Sequence, residues 1–493
     1  MPSGFSEQAV QRRISQQIHW EFSDYPLNNS FIQKIHLIAD SLGYESRWLN
    51  AVAAYIHPDS LIRIQSLPFV KNIEKIESNL SSLPTKKSDH KRLPIELKKL
   101  ADLQIETLGA SLLKKNGLDG NGIRICIIDA GFSGATNSPG LMHIYQRNGI
   151  AATFDFIRKK SDVYTGSSHG TYVLSCLGGK TESMQTGLAT GATYLLARTE
   201  SVWSENQTEE DRWIAALEWA DQQGAHIINC SMGYARPKYK KADLNGESTL
   251  SQAMNMASDK GMLVVNAAGN EYNNTWKTLI LPADAEKVLT VGAVQTTTGQ
   301  HAWFSSSGPT ADGRIKPELT APGTVVAWER KKTVVISGTS FSAPLIAGLA
   351  ACIWQFYTDT LPSSNLKQLL IRSGCWWPSY DHRLGYGTPI TDNLLSNPTF
   401  NIHWEIFADS TQLTIQFSEP LAENEKLYYK IEKQPGEFEL YGFVEIKKGI
   451  SKATIPWEAL NELVKKRIKN IKIYSGKVIS FKWRNEHKEI VIP

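Results

Sequence analysis

The chain has 493 residues, 41% of them hydrophobic and 21% charged, with a formal charge of +4 at pH 7. That length exceeds one ordinary core and points to about two to four domains, and the composition is that of a globular chain rather than a disordered one. The small net charge and the lack of a basic block leave no footprint for nucleic acid, and no run of 18 or more apolar residues marks a transmembrane segment.

The first residues lack a charged stretch followed by an apolar one, so no signal peptide is expected in this chain. Residues 29–76 read as a small α/β unit. Residues 31–40 carry apolar positions at helical spacing, 46–52 read as a strand, 60–64 open a second short helix and 70–76 alternate as another strand. Residues 77–99 hold Ser, Pro and Lys clusters without periodicity, the composition of an exposed linker accessible to a cut.

From Leu112 onward, apolar runs at 123–128, 194–197, 225–230, 262–266 and 288–291 alternate with helical patterns, notably 211–223 and 249–260. Near-continuous apolar strands separated by helices imply a parallel sheet covered on both faces. Ligands bind outside the carboxyl ends of such strands, which puts Asp129 and Asn270 at the binding edge, with His169 and Ser340 starting helices that face the same crevice. The helix running from Ser340 to Trp354 is apolar nearly all round, as a buried central helix should be. After about Asn397 the pattern changes to short alternating runs (403–407, 412–417, 427–431, 470–474), read as a β-sandwich. The five cysteines, Cys126, Cys176, Cys230, Cys352 and Cys375, are odd in number and lack metal-type spacing; they are expected as small buried apolar residues without disulfides.

Four segments carry chemistry. Ser340 sits in Gly338-Thr339-Ser340-Phe341-Ser342-Ala343-Pro344, and a serine hydroxyl needs a base beside it and an orienting acid behind that base. Asp129 ends an apolar run and is followed by Ala130-Gly131, while His169 opens His169-Gly170-Thr171-Tyr172-Val173. Asp, His, Ser is one of the chain orders in which this triad occurs. Asn270, in Ala267-Ala268-Gly269-Asn270-Glu271, offers a side-chain amide for the oxyanion of acyl transfer. Each alone has an ordinary reading as a turn, a loop or a helix entry. Four in order, with matching flanks, set chance aside.

Together the segments resemble the subtilisin-like serine proteases (subtilases) from about Leu112 to Ile390. The segments 228–233, 304–309 and 316–323 extend the match. The resemblance implies an α/β, doubly wound parallel sheet and a serine endopeptidase that attacks polypeptide substrates through Ser340. His169 would be its base, Asp129 the orienting acid, and Asn270 with the Ser340 backbone N–H the oxyanion hole. It also implies that Ser231, Met232 and Gly233, with Ala268 and Gly269, flank the pocket for the side chain before the scissile bond, where small residues leave room for a large apolar group and Glu271 at the rim offers a partner for Lys or Arg as the alternative. Catalysis in the family asks for no cofactor or metal. A structural calcium ion is compatible with it, although the sequence shows no ligand set for one. Two residues depart from the family pattern: Ala130, where Thr or Ser is usual, and Tyr172, where His is usual.

The unit ahead of this domain, chiefly through Ser46-Arg47-Trp48-Leu49-Asn50-Ala51, resembles the inhibitory prodomain of Bacteroidetes-type subtilases. That implies a zymogen whose own prodomain is its intramolecular inhibitor. The expected division is residues 1–77 for leader and prodomain, 78–110 for a linker with the maturation site, 111–397 for the catalytic domain and 398–493 for the sandwich. The sandwich is loosely similar to type IX secretion sorting domains, with a binding module or a structural cap as alternatives. A secreted or cell-surface location follows from the resemblance, after loss of a signal peptide that this chain does not carry; an intracellular one is the alternative. The rivals to a peptidase are an inert subtilase-fold protein that acts by binding through its sandwich and a non-peptidase acyl hydrolase on the same fold.

Overall fold

The structure is a computed structural model that describes residues 2–74, 97–200, 208–235, 239–357, 361–395, 404–409, 411–457, 477–484 and 486–491. It opens with α1 (Glu7–Ser15), where Ser6 Oγ caps the helix by accepting the Ala9 N–H at 3.2 Å. There follow α2 (Asn29–His36), an antiparallel hairpin of β1 (Ser41–Ser46) and β2 (Ala51–Tyr55), and α3 (Leu61–Gln65). The run 46–52, expected as a strand, is instead the tip of this hairpin, with Asn50 at φ 49°, a conformation asparagine tolerates better than most residues. Its apolar residues mimic a strand because Trp48 packs into the next domain, in a cluster with Trp213 and Leu217. Residues 70–74 form no strand, and the rest of that expected strand lies outside the described residues.

The central domain begins earlier than the expected boundary at 111. Helices α4 (Leu97–Glu106) and α5 (Ala110–Lys115) belong to it. Leu100, Ala101, Gln104 and Ile105 form a buried stripe on α4. The Gln104 side chain donates to Thr186 O at 2.7 Å and accepts from Val326 N at 2.7 Å. Residues 97–110 are therefore not linker; Lys98 and Lys99 on the exposed face of α4 masked the stripe in the sequence.

Seven parallel strands make the central sheet: β3 (Arg124–Asp129), β4 (Ile150–Asp155), β5 (Thr193–Arg198), β6 (Ile227–Cys230), β7 (Leu263–Ala267), β8 (Leu289–Val294) and β9 (Leu319–Pro322). Their order is β4-β5-β3-β6-β7-β8-β9. A hairpin, β10 (Thr324–Glu329) with β11 (Lys332–Ser337), leads out of β9. The helices are α6 (Met142–Gln146), α7 (His169–Gly178), α8 (Thr208–Gln222), α9 (Thr249–Asp259), α10 (Thr339–Phe356), α11 (Ser363–Arg372) and α12 (Asp392–Leu395).

Strand β3 shows why the strands read as unbroken apolar runs. Ile125 and Ile127 point into the layer of α7 and α10, Cys126 and Ile128 into the layer of α8 and α9, and all four are fully buried. Alternate side chains thus feed two cores. Helix α10 is long and apolar enough to cross a membrane by composition alone, but it is buried inside the domain, which accounts for its apolarity. All five cysteines are buried and unpaired, and burial pushes the Cys126, Cys176, Cys230, Cys352 and Cys375 thiols upward.

The C-terminal strands are β12 (Trp404–Ala408), β13 (Gln412–Phe417), β14 (Glu425–Gln434), β15 (Glu437–Ile446), β16 (Lys452–Pro456), β17 (Val478–Trp483) and β18 (Glu486–Val491). They form two antiparallel sheets, β12-β13-β16 and β15-β14-β17-β18. The expected strand at 470–474 lies outside the described residues. On β14, Leu427, Tyr429 and Ile431 fill the sandwich core, while Tyr428 and Lys430 face the central domain. There Trp376 packs edge-on against Tyr428, Phe438 and Tyr441 at 5.6–6.0 Å. Lys482 Nζ donates to Gly374 O at 2.8 Å and Trp377 O at 3.0 Å. The sandwich is docked by an apolar seam to which Lys482 and Lys430 add hydrogen bonds.

Candidate active site

Asp129 is the last residue of β3. Ser231 follows β6 directly, and residues 267–270 carry β7 into its loop. Since β3, β6 and β7 are neighbours, all three segments emerge at one edge of the sheet. His169 is the first residue of α7 and Ser340 the second of α10, so both helices start at this edge. Two motif glycines allow the loops to meet. A Cβ on Gly131 would stand 2.1 Å from Thr165 O, and one on Gly170 would stand 2.6 Å from Gly131 O. The space they leave brings α7 down onto the end of β3, where Gly170 N–H donates to Gly131 O at 3.0 Å.

His169 Nδ1 lies 3.0 and 2.9 Å from the two oxygens of Asp129, which is fully buried. A carboxylate only accepts, so Nδ1 carries the proton and the neutral ring keeps Nε2 as a base. Asp129 Oδ1 also accepts the N–H of Ala130 at 2.8 Å, a bond that needs no hydroxyl at position 130. Burial disfavours the imidazolium, but the charge and hydrogen bond of Asp129 outweigh it and raise the His169 pKa above the ordinary histidine value.

The His169 ring is 5.5 Å from that of Phe341, the residue after Ser340. Ser340 is 8% exposed. Its hydroxyl donates to Ser231 O at 2.9 Å, and the Ser231 hydroxyl donates back to Ser340 O at 2.8 Å. The structure thus joins Asp129 to His169 and Ser340 to Ser231. The serine hydroxyl is turned toward Ser231, and rotation about its Cα–Cβ bond between staggered wells redirects it; such bonds commonly tighten only when substrate is present.

Asn270 Oδ1 accepts from the Thr339 N–H at 2.9 Å and the Thr339 hydroxyl at 3.2 Å, and Thr339 Oγ1 accepts the Gly269 N–H at 3.1 Å. These bonds fix the amide oxygen. Asn270 is exposed, and its Nδ2 sits 3.4 Å from where a Cβ on Gly338 would stand. Thr339, unassigned from sequence, is the residue that orients Asn270; its only signal was membership of the Gly-Thr-Ser run.

The pocket differs from expectation. Residues 278–283 bridge its two walls. Tyr234 and Leu281 exchange backbone hydrogen bonds of 2.7 and 2.9 Å, and Ile280 N–H donates to Ala268 O at 3.1 Å. The Ile280 side chain lies between the walls: a Cβ on Gly233 would be 2.7 Å from its Cδ1, and one on Gly269 would be 2.8 Å from its Cγ2. The room expected for a large apolar group beside Ser231, Met232, Gly233, Ala268 and Gly269 is therefore taken by an isoleucine from outside every motif. At the rim, the Glu271 N–H donates to Ser306 Oγ at 3.1 Å and its carboxylate accepts from Asn274.

Tyr172 links α7 to the β10–β11 hairpin. Its hydroxyl donates to Glu329 Oε1 at 2.6 Å and accepts from the Ser168 hydroxyl at 3.0 Å. Burial, with the Glu329 bond, pushes the phenol up to about 12. Among the described residues no group of three or more His, Cys, Asp or Glu side chains gathers as a metal site.

Comparison with known proteins gives two family matches: the subtilase family over residues 120–394 and the peptidase S8 propeptide domain of Bacteroidota over residues 2–92. A thermostable alkaline protease of Halalkalibacterium halodurans is 28% identical over 305 residues, covering 60% of this chain and 74% of the relative. Serine protease AprX of Bacillus subtilis is 27% identical over 326 residues, covering 59% and 70%. Among solved structures, the MycP3 protease of the type VII (ESX-3) secretion system has 22% identity and a TM-score of 0.49, covering 62% of this chain and 90% of its own.

Proposed function

The chain belongs to the subtilase family and carries that family's propeptide domain, and we propose that it hydrolyses peptide bonds through an acyl-enzyme on Ser340, after removal or displacement of its own N-terminal segment. Nε2 of neutral His169 takes the Ser340 proton as Oγ bonds to the substrate carbonyl carbon. The carbonyl oxygen, now negative, accepts from Asn270 Nδ2 and the Ser340 N–H. His169 then gives its proton to the leaving amine and the C–N bond breaks; water repeats the sequence to release the acid. Asp129 holds the ring in the tautomer that leaves Nε2 free and stabilises the imidazolium. The observation that carries this reading is the pairing of His169 Nδ1 with buried Asp129 at 2.9–3.0 Å at the same strand edge as Ser340.

Geometry also supports a substrate class. With the carbonyl carbon at Ser340, its oxygen toward Asn270 and the leaving group toward His169, the remaining substituent points between 231–233 and 267–269. Ile280 fills that space, so the reading favours a small residue, Ala, Ser or Gly, before the scissile bond. Replacing Ser340 by Ala tests the whole scheme. The variant should hydrolyse no peptide amide and should stay at 55.0 kDa, while the unaltered chain shortens itself from the N-terminal side. Equal shortening of purified Ser340→Ala would overturn self-processing.

A further inference from the structure

Tyr172, where the family pattern has His, touches no reacting atom in the chemistry proposed above. It lies one turn into α7, on the same face as His169, and its hydroxyl is engaged twice. It accepts from the Ser168 hydroxyl at 3.0 Å and donates to Glu329 Oε1 at 2.6 Å, a directed relay from the residue before His169 to the β10–β11 hairpin. Ser168 is the N-cap of α7, where serine ordinarily accepts a backbone N–H of the first turn. Here its side chain caps no such group and is turned onto Tyr172 instead. The bond from Tyr172 holds the Glu329 carboxyl below its ordinary value, so the acceptor is a carboxylate, and the 2.6 Å length is that of a charge-assisted bond.

The hairpin that carries Glu329 also delivers the nucleophile. Strand β11 ends at Ser337, and Gly338, Thr339 and Ser340 follow it without a break. Helix α7 is tied to β10 at a second point on the same face, where Ser175 Oγ accepts the Trp328 N–H at 3.0 Å. The rings of His169 and Tyr172 both pack on Phe341, the residue after Ser340, at 5.5 and 6.4 Å. The backbone around His169 has its own ties: its N–H donates to Ser167 Oγ at 3.0 Å and that of Gly170 to Gly131 O at 3.0 Å. Tyr172 is thus where the helix bearing the base meets the segment bearing the nucleophile.

The Ser340 hydroxyl rests on Ser231 O and has to turn to reach the base, so the imidazole must already stand where Oγ will arrive. A misplacement of about 1 Å costs on the order of 10² in rate. We infer that Tyr172 is a positioning residue for this reaction: through Glu329 it fixes the first turn of α7, and with it the His169 ring, against the segment that carries Ser340. Its effect on turnover rests on the peptidase reading; the placement of the ring does not.

The test compares four processed proteins below their melting temperatures: unaltered, Tyr172→Phe, Glu329→Ala and the double variant. Tyr172→Phe keeps the ring on Phe341 and loses both hydroxyl bonds. It should lower kcat about tenfold or more, with KM nearly unchanged. Glu329→Ala should do the same, whereas Glu329→Gln, which keeps an acceptor for the phenol, should recover most of the loss. Because the two residues act as one unit, the double variant should be no slower than the slower single one. An unchanged kcat in the single variants, a loss that falls in KM alone, or a double variant whose loss is the product of the single losses would overturn the inference. Glu329 adjoins the exposed turn at Arg330 and Lys331, so its variants decide if Tyr172→Phe fails to fold. A chain that hydrolyses no peptide in any form contradicts the peptidase reading instead. The inference is then decided in the full chain carrying Ser340→Ala, by the magnetic resonance signal of the His169 Nδ1 proton that faces Asp129. That proton should exchange with water several-fold faster once Tyr172→Phe or Glu329→Ala is added, and equal exchange would overturn the inference.

Discussion

Ile280 makes the sharpest test of the pocket. Ile280→Gly removes four carbons from between Gly233 and Gly269 and touches no group proposed for catalysis. Burial of apolar groups contributes about 0.8 kcal/mol per methylene, so a phenyl ring seated in the vacated volume gains about 3 kcal/mol in the transition state. At about 1.4 kcal/mol per tenfold, that is a rise on the order of 100-fold in kcat/KM for Phe relative to Ala before the scissile bond. The substitution also costs the domain roughly 1–3 kcal/mol through lost packing and glycine's flexibility. Ile280→Ala should therefore shift the ratio in the same direction, by less, in a more stable protein. The assay is a pair of peptide amides differing only at that residue, measured for all three proteins below their melting temperatures. An unaltered chain that prefers Phe or Leu over Ala, or a ratio that stays fixed in both folded variants, would refute the plugged pocket.

Because Asp129 raises the His169 pKa and only the neutral ring is a base, kcat/KM should fall as pH drops through a midpoint above 6.5. Asp129→Asn should move that midpoint down and cut turnover by about 10⁴ through loss of the correct tautomer; a pH–rate profile of each protein decides. Asn270→Ala should lower kcat by about 10²–10³, the range established for subtilisin itself, with KM nearly unchanged, and steady-state kinetics will show whether the loss falls in kcat. Trp376→Ala, which empties the seam against Tyr428, Phe438 and Tyr441, should cost about 3–5 kcal/mol and expose the sandwich to limited proteolysis. Chemical denaturation reads the first effect and fragment mapping the second.

The four chemical segments were legible because each joins a reactive side chain to small neighbours that the backbone needs. Gly131 and Gly170 are required by the approach of two loops, and such requirements leave a local signature. The parallel sheet was legible because strands buried on both faces lose the alternation that marks half-exposed ones. What stayed hidden depends on contacts between distant segments. Ile280 sits in an apolar stretch, 279–281, that carries no sign of the wall it fills. The tip around Trp48 read as a strand because its apolar residues serve another domain's core. Helix α4 was hidden by Lys98 and Lys99. The seam under β14 was invisible for the same reason: alternation names two faces but not what covers the second.

The central claim is that Ser340 is a nucleophile activated by His169. A fluorophosphonate reacts only with such a serine, forming a P–O bond to Oγ and expelling fluoride. Peptide mapping of the processed protein after labelling should place a single adduct on Ser340, formed at a rate that falls on the acid side with the same midpoint as peptide hydrolysis and is lost in His169→Ala. An adduct on another residue, or equal labelling of Ser340 with and without His169, would contradict the account.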